Sequence, residues 1–167
     1  FRTTLSKGHD YITVKEERTH IESYLEIQQF RYQDILDYEI QMDEEIYGYI
    51  IPKLTLQPLV ENALYHGIKN KRGKGKILIT GKKQGDKIIF QVIDNGKGMT
   101  EEELNSLRKK MAGTDTGDEA KGFGVSNVNQ RIKYYYGEEY GVFFESKENE
   151  GTNATIIIAA KNIQLPS

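Results

Sequence analysis

No cysteine occurs among the 167 residues, and there is no tryptophan. Without thiols there is no disulfide framework and no thiolate zinc site, which fits a reducing compartment. Long apolar runs are missing as well. The longest, Ile156 to Ala160, falls far short of the roughly 20 residues that cross a bilayer. Charge of one sign is not in excess: the net charge is -2, which argues against a basic nucleic-acid footprint over the whole domain. Proline occurs three times, and two of these, Pro52 and Pro58, bracket one expected helix start. What remains is a soluble, globular composition, 37% hydrophobic and 29% charged, long enough for one domain with a full core. The chain opens on Phe1 rather than Met. It therefore reads as a piece of a longer protein, with any targeting or membrane segment upstream.

Phe1 to Tyr11 shows no period and reads as a tail or the remnant of an upstream element. Thr13 followed by Glu16 is a capping-box pattern. The helix it opens carries Ile21, Tyr24, Leu25, Ile27, Gln28, Tyr32, Ile35 and Leu36 as one stripe at helical spacing. Tyr38, Ile40 and Met42 alternate with polar residues, so Asp37 to Asp43 is expected as a strand. A second helix is expected from near Leu56 to about Lys69, with Leu59, Val60, Ala63, Leu64 and Ile68 on its buried face. Lys69 to Lys76 is a basic, glycine-punctuated loop. Ile77 to Lys83 and Lys87 to Ile93 are strands turned by Gln84-Gly85-Asp86.

Glu101 to Met111 has acids in its first turn and Lys109 and Lys110 in its last, matching the helix dipole. Ala112 to Lys121 is small, polar and unpatterned, and reads as a loop. Val125 to Tyr136 is helical, with Gly137 as its terminator. Val142 to Ser146 and Asn153 to Ala160 are strands turned by Glu148 to Gly151. This order predicts an α+β, two-layer sandwich with a mixed, mostly antiparallel sheet.

Three segments end an aliphatic element with glycine or a small polar group: "ENALYHG" at Glu61 to Gly67, "DNGKG" at Asp94 to Gly98, and "GFGVSN" at Gly122 to Asn127. The second follows the aliphatics of "VIDNGKGM", Val92 to Met99, and read alone it is ordinary turn chemistry. The third opens a helix, where backbone N–H groups and a positive dipole end suit phosphate. No G-x-x-x-x-G-K-[ST] occurs, and the third segment does not follow a strand in a βαβ unit. P-loop and Rossmann sites are thereby disfavoured.

In their order and spacing, "LQPLVENALYHGI" (Leu56 to Ile68), "DNGKGM" and "GFGVSNVNQRI" (Gly122 to Ile132) resemble the nucleotide boxes of the GHKL superfamily, named for gyrase, Hsp90, histidine kinases and MutL. They look most like sensor histidine kinases of the YesM/LytS type. "EGT", Glu150 to Thr152, resembles the last glycine box, and "YLEIQQFRY", Tyr24 to Tyr32, the helix before the ATP domain. The resemblance covers roughly Val14 to Ala160. It implies residues 1–36 as the end of an upstream dimerisation and phosphoacceptor region with its linker helix. Residues 37–161 would be the catalytic domain and 162–167 a tail.

The resemblance also implies roles. Asp94 would bind adenine, since a carboxylate only accepts and adenine offers its N6 amine. Guanine would present O6 there, so Asp94 would select ATP over GTP. Gly96 and Gly98 would let the backbone approach the base, with Met99 against the ring. Asn62 would be the ligand of Mg2+, the triphosphate and water supplying most of the shell. His66 would contact phosphate or ribose, although a helix-terminal imidazole is also favourable for dipole reasons alone. Many members carry Lys at the position of Tyr65. Lys69 is the alternative source of that charge here, whereas Lys71 and Arg72 read as a solvated loop. Gly122, Phe123, Gly124 and Val125 would belong to the box that caps the triphosphate, in a lid from about Thr100 to Gly124. Thr152, in the last glycine box, would be a further nucleotide-binding residue, and Arg131 reads as a surface salt bridge more readily than a phosphate contact.

ATP-hydrolysing members carry a glutamate four residues before the magnesium asparagine; here that position is Pro58, which does no proton chemistry. The resemblance thus implies a chain that holds ATP and passes its γ-phosphoryl to a histidine on an upstream domain, for relay to a response regulator. Catalysis would then be positioning and charge neutralisation. The acceptor is expected in an "HF" context, and none of the three histidines, His9, His20 and His66, precedes Phe. It therefore lies outside this chain, which should bind ATP without labelling itself. Implied partners are ATP, the upstream domain, a response regulator and a second copy in a full-length homodimer. Nucleic acid and direct membrane contact are not implied, and the location would be the cytoplasmic side of a membrane-bound sensor. The rivals are a non-kinase GHKL ATPase, a chaperone-type clamp or an anti-sigma serine kinase, against all of which Pro58 argues. A nucleic-acid module using "KNKRGKGK", Lys69 to Lys76, would lack a clustered aromatic platform.

Overall fold

The computed structural model describes residues 10–69, 71, 73–113 and 123–163. His9, Arg72, Gly122, the side chain of Phe123 and most of the expected loop from Ala112 to Lys121 lie outside the described residues.

The first helix, α1 (Val14–Arg31), begins as its capping box predicts. The Thr13 hydroxyl accepts from the Glu16 N–H at 3.1 Å, and the Thr13 N–H donates to the Glu16 carboxylate at 2.9 Å. Val14, Glu17, Ile21, Leu25 and Gln28 are buried at spacings of three and four, so one face enters the core. The helix ends at Arg31 rather than Leu36. Tyr32 leaves helical geometry at φ -127° and ψ 48°, and Leu36 instead opens strand β2 (Leu36–Met42). Ile27, expected on the buried stripe, faces outward at 60% exposure.

Tyr11, expected in a tail, starts a short strand, β1 (Tyr11–Thr13), paired antiparallel with β3 (Ile50–Pro52). Neither is long enough to show alternation. The expected second helix is α2 (Gln57–Asn62), but its continuation, Ala63–Ile68, is a π-turn with wider i to i+5 bonding. The remaining elements fall close to expectation: β4 (Gly75–Gln84), β5 (Lys87–Asp94), α3 (Glu101–Met111), α4 (Phe123–Tyr136), β6 (Gly141–Lys147) and β7 (Gly151–Ala159).

The main sheet has five strands in the order β2-β4-β5-β7-β6. Only the β2–β4 pair is parallel. Alternation decides its two faces. Ile77, Ile79, Ile88, Phe90, Val92, Ala154, Ile156 and Ile158 are buried in the same core as Val60, Leu64, Leu104, Val128 and Ile132 from the helices. Leu78, Ile89, Ile93 and Ile157, one residue out of step, are only half-buried. The result is the expected two-layer α+β sandwich, and α1 contributes Val14, Ile21 and Leu25 to its single core. Among the described residues no helix is long and apolar enough to cross a membrane.

Candidate functional site

Strand β5 lies between β4 and β7 in the middle of the sheet, and its last residue is Asp94. A carboxylate here is enclosed from both sides, and Asp94 is only 5% exposed. Burial pushes its carboxyl up from 3.8 to about 6. Backbone N–H groups of Gly96 and Thr152 and the Lys71 charge pull it back part of the way. The Gly96 bond is 2.8 Å. Thr152 faces Asp94 across the β5–β7 ladder.

The turn after Asp94 presses against the end of the π-turn. A Cβ on Gly67 would stand 2.6 Å from Asp94 Oδ1, and one on Gly96 would stand 2.6 Å from the Gly67 Cα. No side chain fits at either place, so two glycine-bearing segments far apart in sequence meet backbone to backbone. The Lys97 N–H donates to the Gly67 carbonyl at 3.1 Å and ties them together. Gly98 has φ +70°, a left-handed turn that aims the chain toward Met99. Met99 is half-buried against the core, and its N–H donates to the Ser146 hydroxyl at 2.8 Å. That hydroxyl also shares a 2.8 Å hydrogen bond with Thr152.

Asn62 is the last residue of α2, half-buried, and five positions before Gly67. That interval is the bonding period of the π-turn, so the helix joins Asn62 directly to the segment that touches Asp94. His66 is exposed on the same turn. Lys69, which caps it, sets its ammonium over the rings of Tyr65 at 4.4 Å and Tyr32 at 4.8 Å. The third box reaches the first at Gly124, where a Cβ would stand 3.4 Å from Pro58 Cβ. Val125 is buried in the core, so only its backbone is available to a ligand. Arg131, expected in a surface ion pair, donates instead to the carbonyl of Lys53.

Sequence reasoning passed over three contributors. Gly67 stood inside a quoted motif, and its role needs the strand-end contact to be visible. Ser146 carries no local signal. Asn95 clamps the turn through a 2.7 Å bond from the Lys76 N–H to its side chain, and Asp-Asn-Gly turn chemistry was the available sign. A separate cleft of about 780 Å³ between α3, α4 and β6 contains neither Asp94 nor Asn62, and of the third box only Asn129 and Gln130. Its cations Arg108 and Lys133 already donate to backbone carbonyls.

Residues 52–162 match the family model described as histidine kinase-, DNA gyrase B-, and HSP90-like ATPase. The chain is 34% identical over 161 residues to the sensor histidine kinase YesM of Bacillus subtilis, covering 96% of this chain and 26% of that protein. It is 29% identical over 165 residues to the sensor protein LytS of Staphylococcus saprophyticus, covering 98% of this chain and 27% of that protein. It thus spans about a quarter of the length of these relatives. The solved catalytic domain of histidine kinase ThkA superposes with a TM-score of 0.64 at 18% identity, over 90% of this chain and 95% of that one. The resemblance carried by the glycine boxes is therefore borne out: the chain belongs to the histidine kinase-, DNA gyrase B- and HSP90-like ATPase family.

Proposed function

We propose that this chain binds Mg-ATP as the catalytic domain of a sensor histidine kinase and delivers the γ-phosphoryl group to a histidine on an upstream domain. The phosphoryl group then passes to a response regulator, and the full-length protein works as a homodimer. One observation carries the reading. A buried carboxylate at the tip of the central strand, Asp94, is ringed by glycines into whose space no side chain fits.

Such a carboxylate accepts hydrogen bonds and suits the amino edge of adenine. Asn62 offers an amide oxygen, a hard donor that fits magnesium whose other oxygens come from phosphate and water. Among the described residues no three His, Cys, Asp or Glu side chains are grouped to hold a metal, so the ion would arrive with its nucleotide. ATP, once bound, supplies the phosphoryl group; the chain's own task is to orient it. Gly96 and Gly98 admit the base, Met99 and Thr152 line its edge, and His66, Lys69 and the box from Gly122 to Val125 serve the phosphates. Pro58 stands beside Gly124 at the start of α2, where an acid would orient water in a hydrolase. That supports phosphoryl delivery over hydrolysis.

Titration calorimetry tests this. Mg-ATP should bind saturably without turnover, and Mg-GTP should bind far more weakly. Asp94→Asn should lose about 10- to 100-fold in affinity, the worth of a hydrogen bond to a charged group. Wild-type affinity in that variant, or steady ATP hydrolysis, would remove the assignment.

A further inference from the structure

Glu17 is a buried ionisable side chain, only 1% exposed, that the nucleotide reading leaves unused. It lies on α1, yet its carboxylate is spent on another element. It accepts the Leu54 N–H at 3.2 Å and the Leu56 N–H at 2.6 Å. Leu56 is the residue that caps α2, and no side chain of its own segment caps that helix start. Helix N-termini present N–H groups in need of acceptors, and the acceptor here comes from 39 positions upstream. The turn it grips is strained: Leu54 has φ +62°, a conformation rare for a branched residue and kept only where surrounding contacts enforce it. A second tie within that turn is the Thr55 hydroxyl donating to the Pro52 carbonyl at 2.5 Å.

We propose that Glu17 is a positioning residue for the nucleotide site: its carboxylate fixes the start of α2, and through that helix sets the place of Asn62 and Gly67. The far end of the same segment is also held from just beyond α1, where the Lys69 ammonium rests over Tyr32. The helix leading in from the N-terminal side therefore grips both ends of the segment that carries the first box. Burying a carboxylate costs far more than burying an apolar residue. A local Ser or Asp at position 56 would cap the helix without that cost, but would not join it to α1. The consequence for affinity rests on the ATP reading above; the positioning itself does not.

The test uses Glu17→Gln, which keeps the shape but turns one acceptor into a donor facing an N–H. Ile21→Val, on the same buried face of α1, is the comparison. Two quantities are read in the whole chain: amide hydrogen exchange over residues 54–62 and 87–94, and the Kd for Mg-ATP. Glu17→Gln should speed exchange over 54–62 roughly tenfold while 87–94 stays slow, and should weaken Mg-ATP roughly tenfold. Ile21→Val should change neither selectively. Unchanged exchange over 54–62, unchanged affinity, or the same pattern in Ile21→Val overturns the proposal. Should Glu17→Gln fail to fold, Glu17→Asp, one methylene shorter with its charge intact, is read by the same criteria. If the wild-type chain binds no Mg-ATP, the kinase reading falls and the exchange pattern alone decides the role of Glu17.

Discussion

At the scale of single residues the site sets binding against stability. Asp94 titrates at about 6 in the folded chain because burial outweighs the N–H groups that serve it. Its unfolded value is near 3.8. Between those values the folded chain holds more protons than the unfolded one. The contribution of Asp94 to stability therefore falls as pH rises from about 4 to about 6 and is level above. The cost of keeping the carboxylate ionised is on the order of 2–3 kcal/mol at neutral pH. Asp94→Asn should flatten this segment of the stability–pH curve, measured by denaturant unfolding at a series of pH values. If both chains keep the same slope between pH 4 and 6, the strand-end carboxylate is not the titrating group. The residue that weakens the fold is the one assigned to the base, a common pattern at binding sites.

Elements show what the sequence made legible and what it hid. Strands β4, β5 and β7 alternate over seven or more residues and β6 over six, and alternation survives into burial because one face meets helices and the other does not. The capping box expected at Thr13 forms, and a second, at Thr100 and Glu103, forms without having been expected. β1 and β3 were hidden because a three-residue strand has no period. The π-turn was hidden because Ala63 to Ile68 carries an ordinary helical stripe, and its widening is a local backbone choice beside Asp94. Glu17 carries no signal in the sequence, since its partners lie on another element. Of the site, the glycine boxes were legible in order, but their meeting at Gly67 and Gly96 needed the fold. Thr100 offers an element-scale test. Its hydroxyl accepts the Glu103 N–H at 3.1 Å and opens α3, which packs through Leu104 and Met111. Thr100→Ala should cost about 1 kcal/mol in denaturant unfolding. α3 packs on β6 and α4 and opens where the expected lid begins, so Mg-ATP affinity is read beside stability; a matching loss of affinity would place α3 within the site.

For the whole molecule the question is where the folding unit begins. The family model starts at residue 52, and the sequence alone suggests that residues up to 36 belong to an upstream region. The core extends further back. Ile12, Val14, Ile21 and Leu25 are at most 8% exposed in the same cluster as Phe90 and Ile156. Burying each such side chain is worth about 1.5–3 kcal/mol, so the four together are comparable to the roughly 5–15 kcal/mol that holds a typical domain folded. β1 also covers the edge of β3, and Glu17 secures the start of α2. A chain beginning at residue 37 would expose apolar surface along Leu36's neighbours and leave the N–H groups of Leu54 and Leu56 without their acceptor. It should show no cooperative thermal transition, or one lowered by more than about 10 °C, and no Mg-ATP binding by calorimetry. A chain beginning at residue 10 should match the full sequence in both. Cooperative unfolding at the wild-type temperature in the shorter chain would show that α1 is an appendage. Its loss would instead mean that any movement imposed on α1 from upstream is felt at the helix bearing Asn62, because the two cannot come apart without unfolding the sandwich.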